Sequence, residues 1–400
     1  MNKKEDIIPV QEAKQIVRKS AVLLPSVSLS LDQAAGTVLA ADVHALIDIP
    51  FYDQSSMDGY AFRFADWDPG GSLIVEGELP AGHNQAFSLG PGRTARIFTG
   101  AAVPLGADTV IMQEKVLVEN NRLRIQDTDL TKGSYVRSRG SEIQAGALAL
   151  PCGASLTPGA IGFLAGLGLK EVTVYPKPRL SIIVTGKELV EPGLALGYGK
   201  VYESNSHSLG AALQLLHLPV VQISSVEDDM HLLETAMQRA LEVSDILLVT
   251  GGASVGDYDY LAAAATRCGV TKLFHKVKQR PGKPLFFGLK GKRLVFGLPG
   301  NPASVLTCFY EYVIPALEEL AGHKNLVESR FLPLAVPWEK NAGLTHFLKA
   351  SCTRETVMPL DAQESFRMYS YARANCLICL PEDATSFQPG DLVEVHVLPD

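Results

Sequence analysis

Between Leu180 and Ala321 the chain alternates short apolar runs with amphipathic helical stretches, and few folds accept that alternation. The run Leu180 to Val184 leads into Thr185-Gly186-Lys187-Glu188, and a helical segment carrying Leu209, Ala212, Leu213 and Leu216 follows, with Ser204 or Asn205 placed to cap it. A strand at Val220 to Ser224, a helix from about Asp229 to Val243 and a strand at Ile246 to Thr250 come next. The last strand runs into the glycine-rich stretch Gly251 to Asp257. Another helix, strands near Thr271 to Val277 and at Leu294 to Phe296, and a helix from Pro302 to Ala321 complete the series. This order predicts a doubly wound, mainly parallel sheet, whose ligands sit beyond the carboxyl ends of its strands.

The flanking sequence has another texture. Residues 11–24 carry Ala13, Ile16, Val17, Val22 and Leu23 at helical spacing. From about 46 to 145, short runs such as Leu73-Ile74-Val75 and Thr109-Val110-Ile111-Met112 are broken by Pro69-Gly70-Gly71, Gly90-Pro91-Gly92 and Asn120-Asn121, which predicts a mostly β domain. Residues 326–400 again read as short strands, a small β barrel or sandwich. Four hundred residues exceed one ordinary core. The expected class is therefore multidomain α/β plus β: two largely β domains (46–145 and 326–400), a doubly wound domain from 1–26 and 178–325, and a small discontinuous linking domain from 27–45 and 146–177.

An apolar fraction of 46% and a charged fraction of 20% are those of a folded globular chain. The net charge of −7, with no basic block, argues against extended nucleic-acid binding. Neither a signal sequence nor an uninterrupted apolar stretch of about 18–20 residues is present, so a cytoplasmic protein without membrane attachment is expected. Cys376 and Cys379 are closely spaced, but within the apolar run Cys376-Leu377-Ile378-Cys379-Leu380. On a strand they face opposite sides, so a place in the core is expected, the alternative being metal or redox chemistry, which would need a turn there.

Four strand-to-helix connections are expected at one edge of the sheet: Thr185 to Glu188, Glu227 to Asp229, Gly251 to Asp259, and Gly297 to Ser304. In the third, Gly251, Gly252, Ser254 and Gly256 suit either an anion cradle of backbone N–H groups or a simple tight turn. Glu188, Asp228 and Asp259 come from three of these loops. Each alone could cap a helix; converging beside anion-binding backbone, they would repel unless a cation such as Mg²⁺ sat between them. Lys276, Lys278, Arg280 and Lys283 supply the opposite charge, with Lys276 and Lys278 on one strand face and the Pro281-Gly282 turn ordering the rest. Such a set suits phosphate or another oxyanion, the alternative being a solvated edge strand. In the last loop Pro299, Asn301, Pro302 and Ser304 would shape a rigid turn opening a helix. No Ser-His-Asp or Cys-His arrangement is evident.

Several segments together resemble one family. They are Ser55-Ser56-Met57-Asp58-Gly59-Tyr60-Ala61, Arg96-Ile97-Phe98-Thr99-Gly100-Ala101, Thr185-Gly186-Lys187-Glu188-Leu189, Gly251 to Gly256, Arg280-Pro281-Gly282-Lys283-Pro284 and Gly297 to Pro302. In this order they are similar to the molybdopterin molybdenumtransferase (MoeA) family, homologous to the C-terminal part of gephyrin. The resemblance spans nearly the whole chain. It implies a homodimer that inserts molybdenum from molybdate into adenylyl-molybdopterin, releasing AMP with the help of Mg²⁺. It also implies that Asp58 and Thr99 face the doubly wound domain of the partner subunit, that Glu188, Asp228 and Asp259 form the acidic, metal-holding part of the site, and that Lys276 and Arg280 hold anions. Transient contact with the molybdopterin-adenylylating enzyme and with enzymes that accept the cofactor would follow. The alternatives are a molybdopterin adenylyltransferase-like enzyme and a non-enzymatic dimeric scaffold binding a partner peptide. The tail departs from the family pattern: Phe366, Arg367, Met368 and Tyr369 stand in what is usually a Ser-Gly-rich loop, and Gly343 to Lys349 lacks the expected arginine.

Overall fold

A computed structural model describes residues 7–83, 85–227, 229–251 and 257–399, the first four of the last range by backbone alone. The chain forms two compact units, residues 41–172 and the remainder.

The larger unit contains the doubly wound sheet. Its strand order is Val220–Val226, Leu180–Thr185, Ile246–Gly251, Arg293–Leu298, Pro284–Lys290, Thr271–Lys276. The first four are mutually parallel, and the last two form an antiparallel edge. The strand Pro284–Lys290 is an addition to the sequence reading, which assigned no element between the Pro281-Gly282 turn and Leu294. Leu285, Phe286 and Phe287 are buried, because helices cover both faces of the sheet. One core collects Ile182, Leu248 and Phe296 with helix Val10–Ser20, and the other collects Ile183, Leu247, Val249 and Val295. Adjacent strand residues alternate between two buried faces, so these strands read as continuous apolar runs.

Helix Met230–Val243 is capped by Asp229, whose carboxylate accepts from the N–H groups of His231 and Leu232, both at 2.9 Å. Helix Asn205–Leu215 begins after Ser204, but the cap is the carboxylate of Glu203. It accepts from the Ser206 N–H at 2.9 Å and the Ser206 hydroxyl at 2.5 Å. The closing helix starts at Pro302, passes through a π turn at Phe309–Val313 and ends at Ala321.

The C-terminal strands form a sheet in the order Gln279–Arg280, Thr345–Cys352, Cys376–Leu380, Leu392–Val397, Glu328–Pro333. Gln279–Arg280 lies beside Thr345–His346, so the chain leaves the doubly wound sheet after Lys276 and joins a different one. Lys276 and Lys278 thus do not share a strand face. Cys376 packs into the core of the C-terminal sheet and Cys379 into the larger core on the opposite side, as strand alternation requires.

In the smaller unit a six-stranded sheet runs in the order Thr109–Met112, Gly59–Phe62, Arg93–Ile97, Leu73–Leu79, Arg122–Ile125, Val116–Glu119. Ala61, Ala95 and Ile97 pack on one face, and Tyr60, Phe62 and Ile111 on the other.

A buried charge network ties the larger unit together. The Glu311 carboxylate receives Lys14 Nζ from helix Val10–Ser20 at 2.5 Å and His396 Nδ1 from strand Leu392–Val397 at 2.7 Å. Burial alone would raise the Glu311 carboxyl; the facing Lys14 and His396 charges overcome it and hold the group at about 2. Burial alone would lower His396, and Glu311 raises it to about 9. The depressed Glu311 stabilises the fold above its unfolded value of 4.5 and loses that contribution as pH falls toward 2. The raised His396 stabilises below 6.5 and loses its contribution as pH rises through about 9. Urea midpoints measured against pH should therefore peak between those unfolded values, and Glu311→Gln should flatten both flanks. Glu311→Ala, which strands two cations, should cost about 3–5 kcal/mol in the same unfolding experiment.

Candidate functional site

At the carboxyl ends of the parallel strands lies a cavity of about 420 Å³, lined among others by Thr185, Glu188, Gly251, Asn301 and Pro302. It gathers three of the four connections expected there. Thr185 and Gly251 are paired at the ends of neighbouring strands. A Cβ on Gly251 would fall 1.8 Å from Thr185 Oγ1, so glycine is required by close backbone approach. Beyond Thr185 the backbone of Glu188 is fixed: its carbonyl accepts from Val201 N–H at 2.9 Å, as Leu189–Val190 pairs with Val201–Tyr202.

Asn205 closes the cavity wall. Its Nδ2 donates to the Gly300 carbonyl at 2.9 Å and holds the Gly-Asn-Pro loop, while its Oδ1 is buried without a partner among the described residues. On the other side of that loop Asn301 Nδ2 donates to Ser365 Oγ at 2.9 Å, and Ala303 N–H donates to the Ser365 carbonyl at 3.1 Å. These bonds bring Phe366 to the cavity. Pro299 is buried at the strand end, and Ser304 is enclosed in helix Pro302–Cys308, so both shape the loop from beneath.

The basic residues are divided. Lys276 ends the edge strand, in register with Pro284 at the same edge as the cavity. Lys278 pairs with Glu382 at 2.9 Å. Arg280 lines a separate cavity of about 660 Å³ with Lys340 and His346. Burial first, then the Lys340 and Arg280 charges, push the His346 imidazole down to about 4, so it is neutral at neutral pH. The turn between Arg280 and Lys283 is stapled from inside. Gln279 Nε2 donates to the carbonyls of Pro281 and Gly282 at 3.0 and 3.1 Å, and Tyr312 donates to Gln279 Oε1. Gly282 has φ +80°, and a Cβ there would lie 2.5 Å from Cys308 Sγ. Lys283 is exposed on this turn.

Asp228, Gly252, Ser254 and Gly256 lie outside the described residues, as does the side chain of Asp259, whose backbone belongs to helix Asp257–Arg267. Among the described residues no group of three or more His, Cys, Asp or Glu side chains is placed to hold a metal ion. Likewise, no helix among the described residues is long and apolar enough to cross a membrane.

In the smaller unit Asp58 and Thr99, two of the expected site residues, bond to each other. Asp58 Oδ1 accepts from Thr99 N–H and from Thr99 Oγ1, both at 2.8 Å. The Thr99 N–H, the Thr99 hydroxyl and the nearby Arg96 charge hold the Asp58 carboxyl below its ordinary range, so it is an anion and acceptor, not a proton donor, at neutral pH. Gly59 follows because a Cβ would sit 1.8 Å from the Ile111 carbonyl oxygen of the paired strand.

Asn205 and Phe366 were not among the expected site residues. Asn205 read as a helix cap, and Phe366 was visible only as a departure from the family's loop pattern.

Three family patterns account for most of the chain. The MoeA N-terminal region (domain I and II) matches residues 8–168, a probable molybdopterin binding domain matches 181–319, and the MoeA C-terminal region (domain IV) matches 332–398. A molybdopterin molybdenumtransferase of Nostoc sp. is 35% identical over 92% of this chain and 87% of its own length. The enzyme of the same name from Staphylococcus aureus MRSA252 is 31% identical over 98% of this chain and 96% of its own. Among solved structures, a molybdopterin biosynthesis MoeA protein from Pyrococcus horikoshii superposes with a TM-score of 0.84 at 28% identity, covering 99% of this chain and all of that one. Sequence similarity and shared architecture extend over nearly the full length, and the chain belongs to the molybdopterin molybdenumtransferase (MoeA) family.

Proposed function

We propose that this protein inserts molybdenum from molybdate into adenylyl-molybdopterin, forming molybdenum cofactor and releasing AMP. The observation that carries this reading is the cavity at the carboxyl edge of the parallel sheet, where Glu188, Gly251 and the Asn301-Pro302 turn converge from separate loops. The relatives' shared name, molybdopterin molybdenumtransferase, supports the substrate class. The family patterns, described as domain I and II and as domain IV, support the four-domain division of the chain.

Glu188 offers a hard oxygen donor in the cavity, and the loops carrying Asp228 and Asp259 leave the same edge of the sheet. This donor chemistry fits Mg²⁺, which when bound would polarise the phosphoanhydride. Lys276, Arg280 and Lys283 bind and orient the phosphates and the molybdate. The stapled Pro-Gly turn keeps Arg280 and Lys283 in place before substrate arrives, so less entropy is lost on binding. Asp58, kept ionised by Thr99, contributes a fixed negative acceptor. Catalysis is then positioning and electrostatics, without a covalent intermediate on the protein. The reading includes a cytoplasmic homodimer in which Asp58 and Thr99 serve the partner's cavity.

The direct test is incubation of purified protein with adenylyl-molybdopterin, molybdate and Mg²⁺, following AMP; no molybdate-dependent AMP release would remove the proposal. Glu188→Gln should reduce turnover on the order of 100-fold. Its melting temperature should barely change, because the side chain is only partly buried. Retained turnover in that variant would take Glu188 out of the site. For the dimer, equal amounts of inactive Asp58→Asn and Glu188→Gln chains, unfolded and refolded together, should recover about a quarter of wild-type activity, since half the dimers would hold one intact composite site. Recovery no greater than the sum of the two variants would refute the shared site.

A further inference from the structure

The proposed reaction leaves two features of the cavity unexplained: an orphaned acceptor in its wall and an aromatic side chain at its edge. Asn205 is only 6% exposed, its Nδ2 is committed to Gly300, and its Oδ1 has no partner among the described residues. A buried carbonyl oxygen left without a donor is costly unless a ligand completes it. Phe366 is 63% exposed yet lines the same cavity. An exposed phenyl ring gains nothing for folding, and here it is held deliberately. Ser365, its neighbour, is bonded to both Asn301 and Ala303. The guanidinium of Arg367 lies 5.5 Å from the Phe366 ring centroid and is itself tied to Glu364 at 3.2 Å. With the cation taking one face of the ring, the other face is left for a planar group.

The cavity's own chemistry narrows the choice. Among the described residues its lining includes no lysine or arginine, so apart from a cation held at Glu188 it offers the phosphate end of a substrate no opposite charge. A flat, uncharged ring carrying N–H donors suits it better. We infer that Phe366 and Asn205 form a heterocycle subsite, in which an amino-substituted heteroaromatic ring stacks on Phe366 and donates an N–H to Asn205 Oδ1. This rests on the molybdenum-insertion reading for the identity of the ring. Adenylyl-molybdopterin carries two such rings, a pterin and an adenine, and both have the shared chemistry of an exocyclic amino group on a π face.

The test separates the two rings and separates this inference from the activity. Free 6-hydroxymethylpterin and AMP are titrated individually into the full chain by calorimetry, with Phe366→Ala and Phe366→Tyr alongside. The arm that names the ring should show binding weakened about 5- to 100-fold by Phe366→Ala and restored to within about twofold by Phe366→Tyr. Replacing the ligand's amino group by oxygen, with 6-hydroxymethyllumazine or inosine monophosphate, should weaken that same arm about 5-fold or more, because Asn205 Oδ1 would then face another acceptor. With adenylyl-molybdopterin, Phe366→Ala should raise KM and leave kcat nearly unchanged. Wild-type affinity for both rings in Phe366→Ala, an equal loss in Phe366→Tyr, or no binding of either ring to the wild type would overturn the subsite. Ring binding with the expected variant pattern but no molybdate-dependent AMP release would instead uphold the subsite and remove the activity.

Discussion

A single buried carboxylate organises the larger unit. Glu311 sits at the π turn of the helix that closes the doubly wound fold, 2% exposed, with a lysine from the N-terminal helix and a histidine from the C-terminal sheet on its two oxygens. Burying one negative charge is prohibitive unless cations meet it. Satisfying Glu311 therefore requires residues nearly three hundred positions apart to arrive together. Helix Val10–Ser20, the closing helix and strand Leu392–Val397 are held in one geometry by that requirement.

The closing helix carries this constraint to the site. Its first turn is the Asn301-Pro302 loop that borders the cavity, and its buried face includes Cys308, against which Gly282 packs. Tyr312, one residue after Glu311, donates to Gln279, which in turn holds the turn presenting Arg280 and Lys283. Cavity wall and basic turn are thus braced by the same helix. Preorganisation of this kind suits chemistry that depends on placing charged groups rather than on a protein nucleophile.

Much of this was legible from the order of residues. Runs such as Leu180 to Val184 and Ile246 to Val249 announced buried parallel strands, since covering both faces leaves no polar alternation. The loops that follow them had to meet at one edge, and Glu188, Gly251, Asn301 and Pro302 do. Asp58 and Thr99 were singled out only through family resemblance, and their hydrogen bond was not foreseen; nothing in the spacing of a residue just before one strand and a residue just after another announces it. The strand Pro284–Lys290, next to the edge of the sheet, was hidden by the proline-glycine turn before it. Lys276 and Lys278 read as neighbours on one strand face because sequence spacing carries no record of a chain crossing from one sheet to another.

By itself the sequence determined the doubly wound class, the edge at which its loops gather and the family, because hydrophobic periodicity and short motifs are local properties written in consecutive residues. Only the tertiary structure decided that Glu203 rather than Ser204 caps its helix, that Gly251 answers to Thr185, and that Arg280 lines a different cavity from Glu188. It alone brought Asn205 and Phe366, far apart in the chain, to one cavity. These are outcomes of packing and hydrogen-bond satisfaction between segments far apart in the chain, where a residue's role depends on which distant group is left without a partner.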